Sequence, residues 1–255
     1  MSTSRTNGSL FTNIQDSIAT IEFGHPASNS FVSELLDRLA KEFDKLSENP
    51  NVTVIILKSE GEKAFCAGAS FDELVAVTTL EEGKVFFSGF AKVINAMRKC
   101  KKIIVGRVQG KTVGGGVGLA AACDYVFASE AASIRLSELT IGIAPFVIAP
   151  AVSRKIGVAG MSELSLNPTA WKNAYWAQEK GLFSQVFDSI NELDKELDLF
   201  TNNLSSYNPQ ALEDWKKVLW ENTDHWDTLL LERAAITGRL ALSEFTKSTL
   251  EKFKK

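Results

Sequence analysis

The chain predicts an α/β protein: a β/α part running to about Pro150, then an all-helical section. Two observations carry this. Short apolar runs of β type alternate with helical stretches over the first part, and beyond Pro150 the β signal nearly vanishes while helical periodicity takes over. Size agrees: 255 residues, 45% hydrophobic and 23% charged, suit one large globular domain, or one domain with a small second layer. A chain of this length buries most of its apolar surface without disulfide or metal staples.

Each element has its own signal. "SIATIEFG" sets Ala19, Ile21 and Phe23 on one face and Thr20 and Glu22 on the other, the period of a strand. "HPASN" follows as a turn, after which Phe31, Leu35, Leu39, Phe43 and Leu46 recur at helical spacing. "VTVIILKS" (52–59) is nearly all apolar, as in a strand buried on both faces. "GEKAFCAGAS" reads as a loop, followed by a mostly helical stretch to about Lys99. "KKIIVGRVQG" is a strand broken by glycines, and "DYVFAS" (124–129) is a third apolar β run. Helical patterns then cover 192–204, 210–220, 226–240 and the stretch from 244 onward. Asn167-Pro168 and Asn208-Pro209 mark boundaries, because proline disfavours a helical residue before it. A helical tail with no obvious core of its own is expected to pack on a neighbouring subunit.

Composition excludes several classes. The formal net charge is −3, and the only basic clusters, 98–102 and 252–255, are short and read as solvated surface, so no nucleic-acid partner is expected. Cys66, Cys100 and Cys123 lie far apart with no Cys-x-x-Cys pair, which suits small core residues in a reducing compartment. His25 and His225 are the only histidines and no His-Glu-x-x-His occurs, so no metal is expected. The N-terminus is polar and no apolar run approaches membrane-spanning length; a cytoplasmic protein without membrane partners is the expectation.

Two motifs mislead, and a third is missing. "GVGLAA" (116–121) imitates a dinucleotide fingerprint, but its strand is internal, and although Glu138 stands near the ribose-binding spacing of ~20 residues, the next strand does not end on it. "GKT" (110–112) lacks the upstream glycine of a phosphate-binding loop. No Gly-x-Ser-x-Gly elbow exists. Hydride transfer, phosphoryl transfer and Ser-His hydrolysis are all weakly supported.

Two glycine-bearing loops follow apolar strands: "KAFCAGASFDEL" (63–74) and "KTVGGGVGLAAACDYV" (111–126), the second with four glycines in five positions. Each turns toward a helix and can leave backbone N–H groups aimed at one point, as in an oxyanion hole. From the residues alone, two tight turns with nothing bound are the slightly favoured reading.

A resemblance adds to this. "AFCAGASFDEL" resembles the Ala-Gly-Ala-Asp segment of the crotonase (enoyl-CoA hydratase/isomerase) superfamily, and "VQGKTVGGGVGLAAACDYVFAS" resembles its Asn-Gly…Gly-Gly-Gly…Cys-Asp signature. "IRLSELTIGIAP" is similar to the following Glu…Leu-Gly-Ile…Pro segment, "GHPASNSF" to the N-terminal Pro-x-x-Asn-Ala-Leu turn, and "AQEKGLFSQVF" to a later Gly-Leu-Val segment. The match stays in register over about residues 15–190. It implies a right-handed spiral of ββα units in residues 1–190 and a helical C-terminal trimerisation region in 191–255, assembled as a homotrimer or dimer of trimers. It also implies acyl-CoA thioester substrates and no separate cofactor, coenzyme A being part of the substrate. By motif position, the N–H groups of Ala69 and Gly115 would hold the thioester oxygen. Ala27, Ser28, Ala67, Gly68, Gly114 and Phe146 would line the substrate path, and Phe253 and Lys254 would reach the adenine-phosphate end from a neighbouring subunit.

The departures from the pattern are chemical. Hydratases of the family carry two glutamates; this chain has Gly118 at the first position and Glu138 at the second. Adding water to a double bond needs groups both for the water and for the α-proton. Moving a double bond from C3 to C2 needs one carboxylate that takes a proton from C2 and returns it at C4. "ELTIGIAPF" (138–146) resembles the single-glutamate Δ3,Δ2-enoyl-CoA isomerases, so Glu138 is the expected acid/base. A hydratase or decarboxylase of the same family and a catalytically impaired acyl-CoA-binding subunit are the alternatives. Ser70 stands in place of the usual Asp, Ser137 in place of Pro, and Arg107 in place of a small apolar residue on a buried strand. A buried arginine needs a carboxylate, and Glu138 or Asp124 is the expected partner.

Overall fold

The computed structural model describes residues 7–253, with the side chain of Phe253 left out; Lys254 lies outside the described residues. Two sheets organise the chain. The larger has six strands in the order β1 (Ser9–Gln15), β2 (Ile18–Gly24), β3 (Val54–Ser59), β5 (Ile103–Val108), β7 (Tyr125–Ser129) and β10 (Gln185–Phe187). The smaller runs β4 (Ala64–Cys66), β6 (Lys111–Val113), β8 (Ser133–Arg135) and β9 (Lys172–Asn173). Successive chain segments give one strand to each sheet: β3 then β4, β5 then β6, β7 then β8. All three lie parallel within their sheets, so the chain advances as a spiral. Among the described residues, only β1 against β2 and β9 against β8 run antiparallel. A short helix, α6 (Ala174–Glu179), carries the chain from β9 back to β10.

The apolar strands are buried on both faces, as their composition demands. Ile55, Leu57, Ile104 and Val108 face the main core, together with Leu35, Leu39, Phe43 and Leu46 of α1 (Ser33–Ser47). Val54, Ile56, Ile103 and Val105 face the other way, onto Leu193 and Leu197 of α7 (Ile190–Ser205).

This alternation decides where Arg107 goes. It shares the face of Ile103 and Val105, so its guanidinium meets α7: Nε donates to Asp194 Oδ1 at 2.5 Å and Nη2 to Asp194 Oδ2 at 2.9 Å. The sequence expectation that Arg107 pairs with Glu138 or Asp124 is therefore corrected; the partner is Asp194, supplied by the helical tail. Asp124 has a different cation. Its Oδ2 lies 3.0 Å from Lys216 Nζ, both side chains being buried, and its Oδ1 accepts from Trp220 Nε1 at 2.7 Å.

Those contacts fasten the tail to the spiral of the same chain. α8 (Pro209–Leu219) brings Lys216, and α9 (Trp226–Ala241) lies along α3 (Leu80–Lys99). The two helices touch backbone to backbone: a Cβ on Gly83 would stand 2.8 Å from Gly238 Cα. The tail, which the sequence leaves without a core, packs here on its own chain. α10 (Glu244–Phe253) closes over the segment after Glu138, with Phe245 and Thr246 packed on Gly142. No helix among the described residues is long and apolar enough to cross a membrane.

Candidate active site

The parallel pairing of β4 with β6 sets the two glycine loops side by side. Gly68, at φ 91°, and Gly114, at φ 54°, occupy backbone conformations that side chains disfavour. The loops interlock: a Cβ on Gly116 would stand 2.6 Å from that of Cys66, and one on Gly68 would lie 3.8 Å from Gly115 N.

Among the described residues, the N–H of Ala69 in the first loop and of Gly115 in the second make no backbone hydrogen bond. The bridge between Phe31 and Ala69 runs through Phe31 N donating to Gly68 O (2.8 Å) and Ser70 N donating to Phe31 O (2.7 Å). Neighbouring residues of an extended segment alternate sides, so the Ala69 N–H faces away from Phe31. Gly115 opens α4 (Gly115–Ala122), and the first N–H groups of a helix have no intrahelical partner. A Cβ on Gly115 would meet the tip of the buried Phe90 ring, so a side chain there requires that ring to move.

Both loops border a cavity of about 360 Å³. Ala67, Gly68, Ala69, Gly114, Gly115, Glu138 and Phe146 all line it, so seven of the sequence-assigned residues meet at one place. Ala27 and Ser28 do not line it. Ser28 borders a second, shallow depression formed with His25 and residues 60–64, and joins the first loop through Ala67 N donating to Ser28 O (3.1 Å). The neighbouring-subunit roles given to the Phe253 side chain and to Lys254 fall outside the described residues.

Glu138 begins a 3-10 turn (Glu138–Ile141) that ends at Gly142, φ 83°. Its Oε1 would lie 3.1 Å from a Cβ on Gly114, which places the carboxylate beside the second loop. Oε2 is buried and has no hydrogen-bond partner. Burial penalises the charged form and raises its pKa to about 7, with a hydrogen bond to its own backbone opposing the shift. Among the cavity-lining residues Glu138 is the only carboxylate.

The position of the absent second glutamate is filled. A Cβ on Gly118 would stand 2.7 Å from Ile148 Cβ and nearer still to its Cγ2. Ile148, 3% exposed, lines the cavity just before α5 (Ala149–Ser165). Ser70 serves the local structure. Its Oγ accepts from Glu73 N (3.3 Å) and caps α2 (Phe71–Ala76), which an aspartate could do equally. The cysteines behave as core residues, burial pushing Cys66 and Cys123 up to about 12. Sequence reasoning missed Phe86, Phe87 and Phe90 on α3, Thr237 on α9, and Ile148. The run "VFFSGF" (85–90) was the one available signal, but helical spacing does not separate a cavity wall from ordinary core.

Spiral, paired loops and enclosed carboxylate define the crotonase fold class. The crystal structure of an enoyl-CoA hydratase from Bacillus halodurans shares this fold with a TM-score of 0.89, at 20% identity, over 95% of this chain and 99% of that one. In sequence, the chain is 28% identical over 203 residues to the peroxisomal Delta(3,5)-Delta(2,4)-dienoyl-CoA isomerase of Arabidopsis thaliana, covering 75% of this chain and 72% of the relative. It is 26% identical over 240 residues to a probable enoyl-CoA hydratase of Bacillus subtilis, covering 92% of each. The family model for enoyl-CoA hydratase/isomerase matches residues 13–249, and the chain belongs to that family of enzymes.

Proposed function

We infer that the chain isomerises 3-enoyl-CoA thioesters to 2-enoyl-CoA thioesters with Glu138 as the sole acid/base. One observation carries this: among the described residues Glu138 is the only carboxylate lining the cavity, and the place of a second is taken by Ile148 packed on Gly118. Hydration needs a second group to orient and deprotonate water, and an isoleucine side chain does neither.

In this reading the thioester oxygen accepts the N–H groups of Ala69 and Gly115, which acidifies C2. Glu138 removes the C2 proton, and the electron pair spreads over a dienolate whose oxygen stays on the two N–H donors. The carboxylic acid of Glu138 then returns the proton at C4, leaving the double bond conjugated with the thioester. No water enters the balance, and one carboxylate on one face of the chain performs both transfers. An oxyanion donor of this kind supplies ~3 kcal/mol of barrier lowering. A carboxyl near pKa 7 is matched to taking and returning a proton at neutral pH.

A spectrophotometric assay of 3-enoyl-CoA and 2-enoyl-CoA with wild type and Glu138→Gln tests this. Turnover of the 3-enoyl substrate alone, lost in the variant, is the expected result. Hydration of the 2-enoyl substrate at a comparable rate overturns it in favour of a hydratase, and saturable binding without turnover overturns it in favour of an acyl-CoA-binding subunit.

A further inference from the structure

The first glycine loop is stitched along its length to the segment 28–33. Ala67 N donates to Ser28 O (3.1 Å), Phe31 N to Gly68 O (2.8 Å) and Ser70 N to Phe31 O (2.7 Å). The last tie is made by a side chain. Glu73 Oε2 accepts from Ser33 N at 2.9 Å and from Ser33 Oγ at 2.6 Å. Ser33 is the first residue of α1, whose N-cap, Val32, has no side-chain acceptor to offer. The first N–H groups of a helix need an acceptor and favour a negative charge, and a carboxylate from α2 supplies both.

Glu73 stands where a capping box would turn its carboxylate back on its own helix. Ser70 Oγ accepts from Glu73 N, but the reciprocal donor, Ser70 N, is committed to Phe31 O. The carboxylate crosses to α1 instead and locks the starts of the two helices together. Ala69 lies inside this lock, between Gly68 and Ser70, which are both tied to Phe31. The lock also reaches the second loop. The Phe31 ring meets the Phe90 ring edge-on with centroids 5.9 Å apart, and the tip of Phe90 faces Gly115. Residues 31–33 thereby carry the register between the two N–H groups.

We propose that Glu73 is a positioning residue, whose bonds to Ser33 hold the Ala69 N–H in line with that of Gly115. The inference rests on the reading of these two N–H groups as donors to a thioester oxygen. Removing one oxyanion donor lowers kcat about 10²–10³-fold, and loosening one costs part of that. Asp72 is the built-in control: it carries the same charge on the same first turn of α2, and it is exposed.

Two measurements test this: steady-state kinetics on the enoyl-CoA that the wild type turns over, and the carbon-13 resonance of butanoyl-CoA labelled at its carbonyl. Butanoyl-CoA is saturated and does not react, so its bound carbonyl reports the hydrogen bonds alone. Glu73→Ala should lower kcat about ten- to thirtyfold with KM held within about twofold, and the bound carbonyl should lose about half of its downfield shift. Glu73→Gln keeps an amide oxygen able to accept both bonds, so it should stay within about threefold of wild type. Asp72→Asn should match wild type. Ser33→Ala removes only the 2.6 Å bond and should fall between Glu73→Gln and Glu73→Ala; it carries the test if circular dichroism shows that Glu73→Ala does not fold. The acid limb of the pH profile should be the same in every variant. Unchanged kcat and resonance in the alanine variants, an equal loss in Asp72→Asn, or a raised KM with kcat intact would overturn the proposal. Hydration in place of isomerisation would overturn only the assigned reaction. A wild-type carbonyl that does not move downfield on binding would overturn the paired-donor reading, and this proposal with it.

Discussion

Replacing Gly118 by alanine tests whether Ile148 fills the space beside α4. Two effects of opposite sign compete. In the middle of a helix alanine is favoured over glycine by about 1 kcal/mol, so an open site would yield a stabilised protein. The new Cβ, however, would stand 2.7 Å from Ile148 Cβ, far inside van der Waals contact, and Ile148 is itself 3% exposed and cannot swing into solvent. Overpacking of this kind costs about 1–3 kcal/mol, and two close contacts place it toward the upper end. Gly118→Ala should therefore destabilise by about 1–2 kcal/mol, the steric cost outweighing the helical gain. Ile148→Gly removes both offending carbons, so in that background the same substitution should stabilise by about 1 kcal/mol. The coupling between the sites is thus about 2–3 kcal/mol, measured from urea unfolding of the four proteins at one protein concentration with m-values compared. Additivity within ~0.5 kcal/mol, or a stabilised Gly118→Ala protein, would refute the packing and with it the main support for a one-carboxylate site.

Four further outcomes follow from the same geometry. Below about pH 7 kcat/KM should fall tenfold per unit, because burial raises the Glu138 pKa to about 7 and the basic form is lost; a midpoint near 4.5 would contradict the enclosed carboxylate. The raised pKa also means that the folded state keeps a proton the unfolded chain has lost. Stability from this group is complete below 4.5 and declines up to about 7, so Glu138→Gln should melt higher than wild type at pH 8, by about 3 kcal/mol at most, and equally at pH 4. Lys216→Met leaves Asp124 buried without its cation and should cost about 3–5 kcal/mol in urea unfolding; a loss under 1 kcal/mol would show that the pair does not anchor the tail. Arg107→Met leaves the half-exposed Asp194 to water, so it should cost only about 1–2 kcal/mol and leave the acid limb of the pH profile in place; a shifted limb would place Arg107 in contact with Glu138 after all.

The parts of this molecule that follow a local rule were readable in the chain. Strands β2, β3, β5 and β7 lie where period-2 or all-apolar runs fall, and the tail helices follow their apolar spacing and the two prolines. The short strands β4, β6 and β8 have two or three pairs each and no pattern of their own. They exist because the spiral stacks them, and the family resemblance supplied what periodicity could not. The site divides the same way. Ala69, Gly115 and Glu138 sit on motifs with fixed spacing. Phe86, Thr237 and Ile148 come from α3, α9 and the entry to α5, more than 100 residues apart in part, and only packing brings them together.

Arg107 shows how a local rule can carry a conclusion the sequence did not draw. The requirement for a carboxylate was sound, but proximity to the motif residues was the wrong guide to which one. Strand alternation already places residue 107 with 103 and 105, on the face opposite Ile104 and Val108, and that face belongs to α7. Asp194 lies on the inward turn of α7 between Leu193 and Leu197, the residues that cover β3 and β5. Arg107 therefore ties the tail to the sheet from one side while Lys216 ties it through Asp124 from another. The two carboxylates thus have opposite surroundings: Asp194 is held by the Arg107 guanidinium on the α7 face of the sheet, whereas Glu138 is enclosed, and burial raises it to about 7 against a hydrogen bond from its own backbone.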